Sequence, residues 1–233
     1  MAATSHAAPL RVVLATQNQH KIEELRALLR DDAPDVAARL HIVSLAELGV
    51  HDEPAEDGAT FADNALIKAR AAHAHTGLWS LADDSGLAVD ALGGAPGVHS
   101  ARYGGEPRSD ARNIDALLAA LSHVPASARQ ARFVCTLCLY GGSAVEPTTR
   151  LRRGECTGTL RFSPVGHNGF GYDPLFVPDP RELAAGGLAD LPPTRTYAEL
   201  SAAEKNRISH RTRALHAMLP ILRALADGAP LPE

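Results

Sequence analysis

The apolar positions of this chain fall into two alternating periods that outline a fold. Residues 10–15 (Leu-Arg-Val-Val-Leu-Ala) form a short β-branched run that predicts a buried strand. Ile22, Leu25, Leu28 and Leu29 then recur at helical spacing, so a helix starts just after a polar turn at Thr16 and Asn18. Residues 32–59 lose that period and read as loop and short strand, with acids gathering at Asp52, Glu53, Glu56 and Asp57. Thr60 with Asp63 is a weaker form of the capping box, opening an Ala-rich helix that ends at Gly77. Leu78, Trp79 and Leu81 predict a strand that stops at Asp83-Asp84-Ser85-Gly86, carrying two acids to the rim of a sheet. Ser109 caps a third helix with Ile114, Leu117, Leu118 and Leu121 on one face. Residues 131–140 alternate as a strand, Gly141-Gly142 suits a hairpin turn, and two further strands follow to about Phe162. The Pro- and Gly-rich residues 178–195 predict a long mobile loop. Ser201 and Glu204 form a full capping box for a last helix, broken or kinked at Pro220. Helices and strands alternate early and strands cluster later. The expectation is an α/β protein with a mixed central β-sheet, flanking helices and two lobes around an active-site cleft. A single domain would span residues 10–225, behind a disordered leader at 1–9.

Composition narrows the function more than the fold. With 233 residues the chain is long enough for a substantial core. A net charge of −4 argues against binding a nucleic acid polymer, so any anion must be held by a few well-placed cations. No stretch approaches the roughly 18 apolar residues of a membrane helix. The first nine residues lack the charged and apolar regions of an export signal. Cys135, Cys138 and Cys156 offer no second pair to complete a zinc site and read as reduced core residues. A soluble cytoplasmic protein is expected.

Four clusters carry candidate chemistry. Thr16-x-Asn18-x-x-Lys21 places a hydroxyl, an amide and an ammonium where first-turn N–H groups lack partners, a natural anion site. The plain alternative is an Asn cap beside a solvated lysine. Asn64 and Lys68 share a helix face and direct a second cation either into a cleft or to solvent. Gly169-Phe170-Gly171-Tyr172-Asp173-Pro174 offers close backbone approach, a surface on which a base can stack, and an acceptor at Asp173 for a ring N–H. The alternative there is an aromatic-lined turn in the core. Lys205 with Ser209-His210-Arg211 adds donors near the end of the chain. On a regular helix Lys205 and His210 differ by roughly 140° in direction, so either the helix is interrupted or the two reach different parts of a ligand. Between these clusters lies Asp83-Asp84. Adjacent strand residues point to opposite faces, so the two acids do not form a dyad sharing one proton. Read alone they are a polar turn. One of them can also hold a hard cation such as Mg²⁺, which takes carboxylate and phosphate oxygens. Jointly the clusters describe a nucleoside triphosphate pocket.

The motifs also have a family likeness. Thr16-x-Asn18-x-x-Lys21, Thr60-Phe61-x-x-Asn64-Ala65-x-x-Lys68-Ala69, Ala82-Asp83-Asp84-Ser85-Gly86-Leu87, Gly94-Ala95-Pro96-Gly97-x-x-Ser100-Ala101-Arg102-Tyr103, Gly169-Phe170-Gly171-Tyr172-Asp173-Pro174 and Ser209-His210-Arg211 occur in this order. The chain resembles the inosine triphosphate pyrophosphatase family (dITP/XTP pyrophosphatases) over residues 12–219. The resemblance implies a Mg²⁺-dependent homodimer that hydrolyses ITP, dITP and XTP to the monophosphate and pyrophosphate, cleansing the nucleotide pool. It implies that Thr16, Gln17, Asn18, Gln19, His20 and Lys21 hold the triphosphate, with Lys68 as a further substrate contact. Asp84 would be the catalytic carboxylate and a metal ligand, with Ser85 touching substrate and Asp83 bracing the turn. Phe170, Gly171, Tyr172 and Asp173 would cradle the base, and Lys205, His210 and Arg211 would contact the nucleotide. Glu56 is the candidate for a second metal carboxylate. One departure is that residues 178–197 are longer than the compact family pattern, with Arg195 where a Gly-Lys pair is often found. The implied reaction is water attack on the α-phosphate with Asp84 as general base. A six-position keto group would accept from His210 or Arg211, where adenine would present a donor. Two other readings are a pyrophosphatase for another modified nucleotide and a non-catalytic nucleotide sensor. A triphosphate panel with and without Mg²⁺ separates all three.

Overall fold

The computed structural model describes residues 9–143 and 145–233; of the expected leader at 1–9, residues 1–8 lie outside the described residues. β1 (Leu10–Leu14) buries Val12, Val13 and Leu14 and pairs in parallel with both β2 (Leu40–Ser44) and β3 (Trp79–Val89). β3, β4 (Gln130–Gly142), β5 (Pro147–Leu160) and β6 (Phe176–Pro178) continue the sheet antiparallel, giving the order β2-β1-β3-β4-β5-β6. This is the mixed central sheet expected from the pattern.

Helices cover both faces. α1 (Gln19–Asp32) turns the four residues of its periodic stripe, Ile22, Leu25, Leu28 and Leu29, into the core. It is joined there by the short α2 (Pro34–Ala37) and by the long C-terminal α7 (His210–Ala226), which contributes Leu215, Met218 and Leu222. α3 (Phe61–Thr76) packs on the opposite face through Ala65, Ala69 and Ala72, against Val13, Ala82 and Cys138. Thr60 and Asp63 form its capping box in full, and Gly77 closes it at a φ of 67°. A third cluster, at the far end of the sheet, joins α4 (Asp110–Ala120), α5 (Pro180–Ala185) and α6 (Ala202–Ile208) to Leu87, Phe133 and Phe176. All three cysteines are buried and free, with Cys135 and Cys138 on opposite faces of β4. Among the described residues no helix is long and apolar enough to cross a membrane.

Four expectations need correction. β3 does not stop at Asp83-Asp84-Ser85-Gly86; it runs through them, paired with Leu137, Thr136, Cys135 and Val134 of β4. Gly86 marks a close approach and no turn, because an added Cβ would lie 2.4 Å from the Ser100 hydroxyl and 2.7 Å from the Gly97 carbonyl. The β4–β5 hairpin turns beyond Gly141-Gly142, which remain in β4, and one long strand stands where two were expected. Residues 178–195 are not a bare loop. They include α5, bury Leu183 and Leu188, and present Glu182 to Thr157 of β5. The last helix breaks at Ser209, whose ψ of 150° ends α6 while its hydroxyl caps α7; Pro220 sits inside α7.

The seat of α7 on β5 depends on Gly154. A Cβ there would meet the His210 carbonyl at 2.2 Å and the Ala214 amide at 2.3 Å, both backbone atoms. Gly154→Ala is expected to destabilise the fold by about 1–3 kcal/mol through overpacking. Thermal unfolding checks this, and an unchanged midpoint would show that α7 is not seated through this contact.

Candidate active site

The mixed topology opens a gap beside β3. β1 pairs with β3 only as far as Leu14 opposite Leu81, yet β3 continues to Val89. Asp83, Asp84 and Ser85 therefore have β4 on one side and, on the other, the space beyond the carboxyl end of β1. Ligands of open α/β sheets bind outside the carboxyl ends of their parallel strands. Here that space is a cleft of about 540 Å³, lined from α1, α3, β3, α4, residues 170–173, α6 and α7.

The two acids divide between the faces of the sheet, as strand geometry requires. Asp83, 2% exposed, accepts from Lys21 at 2.5 Å and from Arg211 Nε at 2.8 Å, and also from Ser85 and Cys135. Burial alone would raise its pKa, but Arg211 and Lys21 hold it well below the ordinary carboxylate value. Asp84 faces α3. Its Oδ1 accepts from Lys68 at 2.6 Å, and Lys68 Nζ also lies 3.8 Å from Glu56. Its Oδ2 is buried with no protein donor. Burial raises the pKa of Asp84, with Lys68 opposing. One acid is thus a brace held by two cations, and the other a carboxylate with one oxygen free of protein donors.

Another part of the cleft is built on an aromatic loop. Asp173 Oδ2 accepts from the Phe170 amide at 3.0 Å and from Lys205 at 2.7 Å. Gly171 N–H donates to Asp110 on α4, and the Tyr172 hydroxyl donates to the Ser100 carbonyl. His210 stacks on Phe133 with centroids 5.0 Å apart, and its Nδ1 is buried without a partner. Burial, followed by the nearby Arg211 and Lys205 charges, lowers its pKa well below the ordinary value, so the ring is neutral. Because the chain breaks at Ser209, Lys205 and His210 line the same cleft despite their helical spacing.

A family model described as the Ham1 family matches residues 12–221. The chain belongs to the Ham1 family. Among similar proteins, the dITP/XTP pyrophosphatase of Nocardia farcinica is 49% identical, over 93% of this chain and 97% of that protein. The dITP/XTP pyrophosphatase of Corynebacterium diphtheriae is 45% identical, over 91% and 97%. The solved structure of a HAM1 protein from Coxiella burnetii matches with a TM-score of 0.75 at 40% identity, covering 94% of this chain and 99% of that one.

Within this Ham1 cleft the structure gathers nearly every residue singled out by sequence. Thr16, Gln17, Asn18, His20, Lys21, Glu56, Lys68, Asp84, Ser85, Phe170, Gly171, Tyr172, Asp173, Lys205, His210 and Arg211 all line it. Gln19 does not; its amide turns along α1 to Glu23. Gln17 bonds the Val50 carbonyl, and Asn18 caps α1 by accepting from the Lys21 amide. Asn64 is fully buried and holds Gly58 N–H, anchoring the acidic loop in place of facing the cleft. Sequence reading missed Asp110 and Phe133, which lie in the cleft without a motif of their own. It also missed Glu24, which pairs with Arg211 beneath the cleft. Glu24 lies three residues from Lys21 on one helix face, a spacing that marks it as a neighbour.

The donor set suits a hard cation. Asp84 has an unclaimed buried oxygen, and Glu56 approaches the same lysine. Among the described residues no cluster of three or more His, Cys, Asp or Glu could hold a metal.

Proposed function

We infer that this Ham1-family protein hydrolyses deaminated purine nucleoside triphosphates, the class of dITP and XTP, to the monophosphate and pyrophosphate. The observation that carries the reading is Asp84, a buried carboxylate with a raised pKa and one oxygen free, set between a lysine-lined end and an aromatic end of one cleft. Asp84 Oδ2 accepts a proton from water as the water oxygen bonds to the α-phosphorus. The bond from that phosphorus to the bridging oxygen breaks, and pyrophosphate leaves. Lys21 and Lys68 balance the charge of the phosphates. Asp84 and Glu56 are the residues that would hold Mg²⁺, which when bound neutralises further charge on the leaving group.

Base choice follows from the donors at the other end. Arg211 has five N–H donors, and Asp83, Glu24 and Ser85 engage three of them. Two remain for a six-position keto group, with His210 beside them. Adenine presents an amino group there, so donor faces donor and both lose their partners. Sites built this way discriminate by orders of magnitude. The expected result is Mg²⁺-dependent pyrophosphate release from dITP, ITP and XTP, with dATP turned over at least about 100-fold more slowly. Preference for a modified pyrimidine triphosphate, or binding without turnover, would overturn the reading. The homodimer and the cytoplasmic location belong to the same proposal, and light scattering of the purified protein tests the dimer.

A further inference from the structure

His20 and Phe170 both line the cleft and meet ring to ring. His20 is the second residue of α1, in the arm that leads to the lysine-lined end; Phe170 belongs to the loop at the aromatic end. Their rings stack with centroids 5.6 Å apart and planes 24° apart. Phe170 is held from within. Its amide donates to Asp173, and the buried Lys205 ammonium lies 5.0 Å and the Arg211 guanidinium 6.0 Å from its ring centroid. These distances are in cation–π range. His20 is exposed, and among the described residues its side chain makes no hydrogen bond or ion pair.

The spacing decides how a flat ligand reaches Phe170. Stacked carbons sit about 3.5–4.0 Å apart, so a ring sandwiched between two others needs roughly 7–8 Å between their planes. The observed centroid separation of 5.6 Å is too small. A base can take this face of Phe170 only if His20 leaves it, and an exposed side chain changes rotamer readily. The imidazole is also the five-membered half of a purine, so its stacking surface matches what a purine would offer.

We propose that His20 is a displaceable cap on the base-stacking face of Phe170, giving way to each incoming nucleotide base. The proposal rests on the reading of this cleft as a nucleotide site. Its consequence is quantitative. A side chain that occupies a site reduces apparent affinity by the fraction of molecules in which the site is open. That factor is the same for every base, because the competition does not depend on the base that wins. A ligand with phosphates and no base gains nothing when His20 leaves.

The test compares calorimetric binding of IMP, XMP and inorganic tripolyphosphate to the full-length protein and to His20→Ala. The variant is expected to bind IMP and XMP about two- to tenfold more tightly, by one common factor, since an aromatic pair contributes on that scale. Tripolyphosphate affinity should not tighten, because a ligand without a base gains nothing from an uncovered Phe170. His20→Phe, with a larger apolar ring, should weaken both monophosphates. Weaker monophosphate binding by His20→Ala would make the imidazole a wall of the base site and overturn the proposal. Unchanged binding would overturn it as well, as would an equal shift for tripolyphosphate. Failure of the unaltered protein to bind IMP would defeat the nucleotide reading itself, an outcome distinct from the others.

Discussion

Asp84→Asn is expected to lower kcat for pyrophosphate release by about two to four orders of magnitude, the usual contribution of a positioned general base. The substitution keeps the shape and one acceptor oxygen. Lys68 therefore retains a partner at Oδ1, and Glu56 stays nearby at 3.8 Å. What disappears is the basic Oδ2, which no protein donor occupies. Thermal unfolding should show a folded protein with a midpoint close to that of the parent. The pH profile carries the same information. Burial raises the folded-state pKa of Asp84 above its ordinary value of 3.8. The active anion is lost as pH falls through the Asp84 pKa, so kcat should show an acid limb set by this carboxylate. The residual activity of the Asn variant should lack that limb. Unimpaired turnover by the variant, or an unchanged acid limb, would remove Asp84 from the role of base.

How much of this was legible in the sequence differs between elements. The helices were readable because their signals are local. The stripe of α1, the capping box of α3 and the Ser201 box of α6 depend on neighbours within one or two turns. The error at Asp83-Asp84-Ser85-Gly86 arose because local chemistry and long-range pairing conflict there. Acids, serine and glycine are poor strand formers in isolation. They are carried as strand because β4 pairs with each of them and because Arg211, 128 residues away, neutralises Asp83. The same limit hid the fold of residues 178–195. Their polar composition reads as loop, and what orders them is Glu182 bonded to β5 and two leucines buried in a distant cluster. The cleft residues were legible by motif wherever the motif itself holds the chemistry. Asp110 was not, because its contribution is one hydrogen bond to Gly171, on a segment far away in sequence.

Asp83→Asn is expected to cost about 3–5 kcal/mol of stability, the scale for removing one partner of a buried ion pair. For a chain of this size that corresponds to a drop of about 6–20 °C in Tm. Four charges share this part of the core: Asp83 and Glu24 against Lys21 and Arg211. Removal of one anion leaves the cluster with one positive charge in excess, and Arg211, only 1% exposed, keeps Glu24 alone as its counter-charge. Lys21, at 14% exposure, can relax toward solvent, whereas Arg211 cannot. The pH dependence has a definite sign. The folded-state pKa of Asp83 lies well below 3.8, so its contribution is fully present above the ordinary value and is lost as pH falls through the folded one. The stabilities of the parent and Asp83→Asn should therefore converge at strongly acid pH. A double variant with Arg211→Met distinguishes a charge network from simple packing. If the loss is electrostatic, removal of the excess cation recovers part of it, and the double variant is less destabilised than the sum of the singles. Strict additivity, measured by urea unfolding, would mean that Asp83 and Arg211 do not sense each other. The brace would then lie elsewhere, and the position of Arg211 in the cleft would need another cause.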